Sequence, residues 1–123
     1  MRLFAIIFAL VIGFGMLGVW AVLLATSQVP EVSTEPIALG FHLAAEAATA
    51  LTLIASGIGL ALRLAWAVRA YLVACGMLLY TGIASPGHYA QLGDAGFVVM
   101  FGAILIGTLA AIGVVWRDTR ADA

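Results

Sequence analysis

Apolar residues gather in four long stretches, about 3–25, 37–62, 64–85 and 95–116, with short polar segments between them. The first is closed by residues 26–36, which hold two prolines and two glutamates. The third ends at Ser85, because Pro86 and Gly87 do not continue a helix. At about 1.5 Å of rise per residue, such stretches cross the roughly 30 Å of bilayer hydrocarbon as helices. The third is the shortest after its arginine, so it recruits residues 64–68 and lets Arg69 snorkel to the interface. No stretch alternates like a barrel strand, and amides in lipid must bond within their own segment. The pattern therefore predicts an all-α, four-helix transmembrane bundle, up-down-up-down, in a single domain over residues 1–123.

Composition agrees with that pattern. Of 123 residues, 65% are apolar and 9% charged, with a mean hydropathy of +1.20, whereas soluble domains are about 45–50% apolar and about a quarter charged. Five arginines, no lysine and a net charge of −1 leave no basic surface for nucleic acid. A single cysteine, Cys75, excludes an internal disulfide or a CxxC pair and reads as a small packing residue.

The arginines also orient the chain. Arg2, Arg63, Arg69, Arg117 and Arg120 fall at the N-terminus, in the second loop and in the C-terminal tail, while the first and third loops hold neither Arg nor Lys. The positive-inside rule then places both termini in the cytoplasm of a bacterial-type inner membrane, with Glu31, Glu35 and Asp94 outside. Trp66 and Trp116 mark the inner boundary, and Trp20 and Tyr89 the outer one. The first apolar run exceeds the 7–15 residues of a signal-peptide core, so a retained helix is expected rather than a cleaved leader. Small residues at four-residue spacing offer packing seams: Ala103, Gly107 and Ala111, Ala55 with Gly59, and Gly57 with Ala61. Gly13 and Gly18 thin the first helix, and Asp94 is placed to cap the fourth.

Chemistry concentrates on the second long helix. His42 and Glu46 are four apart and stack on one face, which Thr49 and Ser56 continue. With a start near Ile37, His42 lies roughly 8 Å and Glu46 roughly 14 Å from the outer end. An acid at that depth costs about 2.5–3.5 kcal/mol unless protonated, paired or hydrated. Glu46 therefore either fixes bundle register through a hydrogen bond, or relays protons and binds a cation or polar headgroup, or ligates a metal. The third loop, which opens near Tyr80 and carries His88, faces the same side. The candidate ligand or proton site is His42, Glu46, Thr49, Tyr80 and His88. His42, Glu46 and His88 are candidates for a two-histidine, one-carboxylate metal site, and His42 with His88 for a haem.

The order of Glu46, the glycine-rich run Leu53 to Leu60, Arg63 with Leu64 and Ala65, the apolar third helix with Met77, and His88 resembles the DoxX-like superfamily of small four-helix membrane proteins. Arg2 followed by Gly13 is similar to their first helix. Two features depart from that pattern: Ala47, Ala48, Thr49 and Ala50 stand where a glycine pair follows the acid, and no glycine lies near Ile6. The resemblance implies a bundle associated with membrane redox assemblies, including quinone-linked sulfur oxidation, with Glu46, Arg63 and His88 as the positions to test.

Three functions follow as expectations. The first is a non-catalytic accessory or anchor subunit of a larger membrane assembly, such as a quinone-linked redox complex, since almost no mass lies outside the membrane. The second is a proton-coupled small transporter or ligand-binding protein that uses Glu46 and His42. The third is a haem- or metal-binding bundle that uses His42 and His88. The expected partners are the lipid bilayer and other membrane subunits or further copies of the chain, not nucleic acid.

Overall fold

Each apolar stretch folds as a helix, the one segment geometry that satisfies its own amides without water. The computed structural model describes residues 2–91 and 93–121, with the side chains of Glu31, His88, Tyr89, Arg120 and Ala121 outside that description. Among the described residues the chain is all-helical: α1 (Arg2–Ala25), the short α2 (Glu31–Thr34), α3 (Pro36–Ala61), α4 (Ala67–Gln91) and α5 (Ala95–Ala121). The four long helices are long and apolar enough to cross a membrane.

The helix ends show how the chain turns. Pro36, whose missing N–H would have no partner in a first turn, opens α3. Asp94 accepts a hydrogen bond from the Phe97 N–H at 3.3 Å and so caps α5, as its position suggests. Past α3, Leu64 N–H donates to the Gly59 carbonyl at 2.9 Å and Arg63 N–H to the Leu60 carbonyl at 3.2 Å, a Schellman closure. The end of α1 repeats it, with Gln28 donating to Leu23 at 3.0 Å and Ser27 to Leu24 at 3.3 Å. The left-handed position in these closures usually belongs to glycine. Here it is held by Arg63 at φ 57° and Ser27 at φ 56°.

Residues 85–91 depart from the expectation. The third spanning helix does not stop at Ser85 but runs through Pro86 to Gln91. Proline removes one donor, the bond to the carbonyl four residues back, which here belongs to Gly82. Continuing the helix still pairs the amides that follow, the cheaper outcome near lipid. His88 is therefore carried on α4 rather than on a loop.

The long helices close into a ring: α1 contacts α3 and, over a shorter stretch, α5, while α4 contacts α3 and α5; α2 rests on α3. The seam between α1 and α3 is the tightest. A Cβ at Gly13 would lie 2.7 Å from Cγ1 of Ile54 and 3.0 Å from the Ala50 carbonyl oxygen, and one at Gly57 3.1 Å from the Ala9 Cβ. At Gly18, farther along α1, a Cβ would meet nothing within 4 Å. The expected small-residue seams split: Gly57, Gly59 and Ala111 are buried and Gly107 faces Phe8, whereas Ala55, Ala61 and Ala103 are exposed. The core is built from Ala5, Ala9, Leu53, Leu60, Ala67, Tyr71, Ala74, Cys75, Leu78, Ala111 and Val115. Across it, the Tyr71 hydroxyl on α4 donates to the Ala5 carbonyl on α1 at 2.7 Å.

The outside of the ring is as apolar as the inside. In the most apolar window of α1 only 11% of residues are buried, and Leu3, Ile7, Val11 and Phe14 all face outward. Soluble proteins rarely expose apolar patches of more than a few hundred Å². The four helices fit a small multi-pass membrane protein.

Candidate functional site

Glu46 stands on the buried face of α3, with Thr49, Leu53, Ser56 and Leu60 at three- and four-residue spacing. It is only 7% exposed. What holds it comes from the neighbouring helix: the Thr81 hydroxyl on α4 donates to Oε1 of Glu46 at 3.0 Å. His42, one turn earlier on α3, brings Nε2 to 4.0 Å from the same oxygen, too far for a hydrogen bond. The imidazole is half exposed and the acid is not, at 48% against 9% for the two side chains. Trp20 on α1 meets the His42 ring edge-on, with centroids 5.5 Å apart and planes at 68°.

A cleft of about 160 Å³ runs along the α1/α3 seam beside this acid, lined by Met16, Leu17, Trp20, Leu24, Leu43, Glu46 and Ala47. Its origin is the packing itself. The two helices touch at Gly13 and Gly57 and part farther along, where Met16, Leu17, Trp20 and Leu24 of α1 stand across the gap from Leu43, Glu46 and Ala47 of α3. The lining is apolar apart from the Glu46 carboxyl and the Trp20 indole N–H. Among the described residues, Oε2 of Glu46 has no hydrogen-bond partner. The arrangement is that of one acid, anchored on one oxygen, at the edge of an apolar slot.

The other candidates fall in different places. Thr49 is buried, but its hydroxyl donates to the Ala45 carbonyl of its own helix at 2.8 Å. Ser56 does the same to Leu53 at 3.1 Å. Tyr80 is 76% exposed and turns outward from the bundle. His88 lies seven residues beyond Thr81 on α4, and its side chain is outside the described residues, as is any pairing with His42 or Glu46. Among the described residues, no three His, Cys, Asp or Glu side chains come together as metal ligands.

Thr81 is the residue that reading the sequence missed. Its signal was present: Ala67, Tyr71, Ala74, Leu78 and Thr81 recur every three or four residues, and all are buried. A hydroxyl on that stripe has to point into the bundle.

Comparison with known proteins adds one relationship. No curated protein matches the chain, and no solved structure does. A family model, described as a domain of unknown function (DUF8058), matches residues 1–123, so the chain belongs to that family.

Proposed function

We propose that this protein is a proton-exchanging, ligand-binding membrane protein, a small transporter or receptor, whose working group is Glu46. One observation carries the reading: a buried acid on one of the four long apolar helices is anchored by Thr81 on one oxygen and lines an apolar cleft. Acids at such a depth are costly, and they face bundle interiors where ions or ligands pass. His42, half exposed one turn outward, is positioned to pass protons between Glu46 and water. Among the described residues, the groups that face the acid are His42 on its own helix and Thr81 on α4, while α1 presents Met16, Leu17 and Trp20.

The same reading takes both termini as cytoplasmic in a bacterial-type inner membrane. The arginine distribution supports it. So do the register pairs Ala9 with Gly57, Gly13 with Ala50, Gly59 with Ala67, and Glu46 with Thr81, which fit an up-down-up-down course. The test is infrared difference spectroscopy of the reconstituted protein across a pH jump. A protonated-carboxyl band that changes with pH, disappears in Glu46→Gln and shifts in Thr81→Val is expected. A spectrum identical in wild type and Glu46→Gln overturns the reading.

A second reading, an accessory or anchor subunit of a larger assembly such as a quinone-linked redox complex, is favoured by the outer face of α5. There Val99, Ala103, Ile106, Ala110 and Gly113 recur at three- and four-residue spacing, and all are exposed. Such a stripe suits close approach by another helix. Stoichiometric partners on purification in mild detergent support this reading, and a chain isolated alone overturns it.

A further inference from the structure

We infer that the α1/α3 cleft takes a small lipophilic ammonium, an arylalkyl or alkyl monoamine about one benzene ring in size, with its positive centre on Oε2 of Glu46. The inference rests on reading Glu46 as a ligand-facing acid and adds the chemical class of the ligand. Size comes from the cleft: open along one side and about 160 Å³, it has room for a guest that would fill the roughly 150 Å³ apolar cavity known to bind benzene in an engineered protein. Polarity comes from the lining. Met16, Leu17, Leu24, Leu43 and Ala47 offer no hydrogen bonds from their side chains, so a guest must be apolar along most of its length.

Charge comes from the acid. Oε1 is occupied by the Thr81 hydroxyl, and among the described residues the one imidazole near it stands 4.0 Å away and half in the open. Among the described residues, no cationic side chain lines the cleft. An ammonium N–H aimed at Oε2 supplies the missing counter-charge in a low-dielectric setting, where charge-assisted hydrogen bonds are strongest. Trp20, also in the lining, adds an aromatic ring of the kind that attracts cations. A neutral alcohol of the same shape fills the slot but leaves the charge of an ionised Glu46 uncompensated. When the acid starts out protonated, binding the ammonium ion releases that one proton, so charge and atoms balance.

The probe is 4-fluorobenzylamine, followed by fluorine NMR against the full-length protein in detergent micelles, with 4-fluorobenzyl alcohol as the neutral control. The expected result is saturable binding of the amine at one site per chain, about tenfold or more tighter than the alcohol. Glu46→Gln removes that preference while keeping an oxygen for Thr81. Leu43→Trp fills the slot and abolishes saturable binding while leaving the acid in place. If Glu46→Gln does not fold, the ratio of amine to alcohol and the Leu43→Trp variant decide the matter. Equal affinity for amine and alcohol, purely linear partition into micelles, or undiminished binding in Leu43→Trp overturns the inference. The infrared measurement on the same samples separates the two claims. A Glu46 band that responds to pH without amine binding removes only the ligand class. Saturable amine binding without such a band removes only proton exchange.

Discussion

The Thr81 hydroxyl reaches Oε1 of Glu46 at 3.0 Å, so the acid of α3 is fastened to α4 and not to the imidazole one turn away on its own helix. This bond joins two spanning helices at the level of the cleft. Without it, a buried carboxyl oxygen loses its donor, and an unsatisfied buried polar group costs about 1–3 kcal/mol. Thr81→Val, which keeps the shape and loses the hydroxyl, is expected to lower stability in detergent by that order, with Thr81→Ser close to wild type. Equal melting of Thr81→Val and wild type would contradict the cross-helix role.

Tyr71 gives a contrasting case. Its hydroxyl donates to the Ala5 carbonyl at 2.7 Å from inside the core, but that carbonyl also lies within α1 and keeps a helical partner. Tyr71→Phe is thus expected to cost only about 0.5–1.5 kcal/mol. Tyr71→Ala opens a cavity and should cost about 3–5 kcal/mol, as other large aromatic truncations do. Thermal unfolding of both variants in the same detergent checks the ratio.

Close approach at Gly13 makes a third expectation. A methyl there collides with Ile54 and with the Ala50 carbonyl oxygen, whereas one at Gly18 meets open space. Gly13→Ala should destabilise by about 1–3 kcal/mol through overpacking. Gly18→Ala should be neutral or slightly stabilising, because alanine is the better helix former. A tolerated Gly13→Ala together with a damaging Gly18→Ala would place the α1/α3 contact elsewhere.

Ser27 and Arg63 sit where the backbone turns left-handed, at φ 56° and 57°. That region costs a residue with a Cβ about 1–2 kcal/mol, and glycine escapes the cost. Ser27→Gly and Arg63→Gly are each expected to raise the melting temperature, after allowance for the looser unfolded chain. Ser27→Ala and Arg63→Ala are not. If glycine and alanine behave alike at these positions, the turns differ from the Schellman closure described.

Orientation can be read chemically. In a Cys75→Ser background, Gln28→Cys and Ala65→Cys lie in the first and second loops and, under the proposed course of the chain, should label from opposite sides of intact membrane vesicles that hold the protein in one orientation, with Ala65→Cys on the cytoplasmic side. Labelling of both from one side would overturn the arrangement with cytoplasmic termini.

The four spanning helices were legible because each apolar run is long enough to commit to the bilayer, and Glu46 stood out because an acid in such a run is expensive. The turns were harder to see. Glycine announces a left-handed helix end, but Ser27 and Arg63 carry no such mark, and Pro86 suggests a stop that the lipid-facing amides do not honour. Thr81 was hidden because a threonine on an apolar helix reads the same whether it faces lipid, its own backbone or a neighbour. Thr49 and Thr81 took different choices among these. The cleft arises from where two helices diverge, a property of packing that no single residue encodes.

The unequal α1/α3 seam carries a mechanical consequence. Its contacts at Ala9 with Gly57 and Gly13 with Ala50 act as a fulcrum, and the gap beside Trp20 and Leu24 forms the free end of the lever. With those close contacts fixed, the gap is the part of the seam that can widen without unpacking Ala9, Gly13 or Gly57.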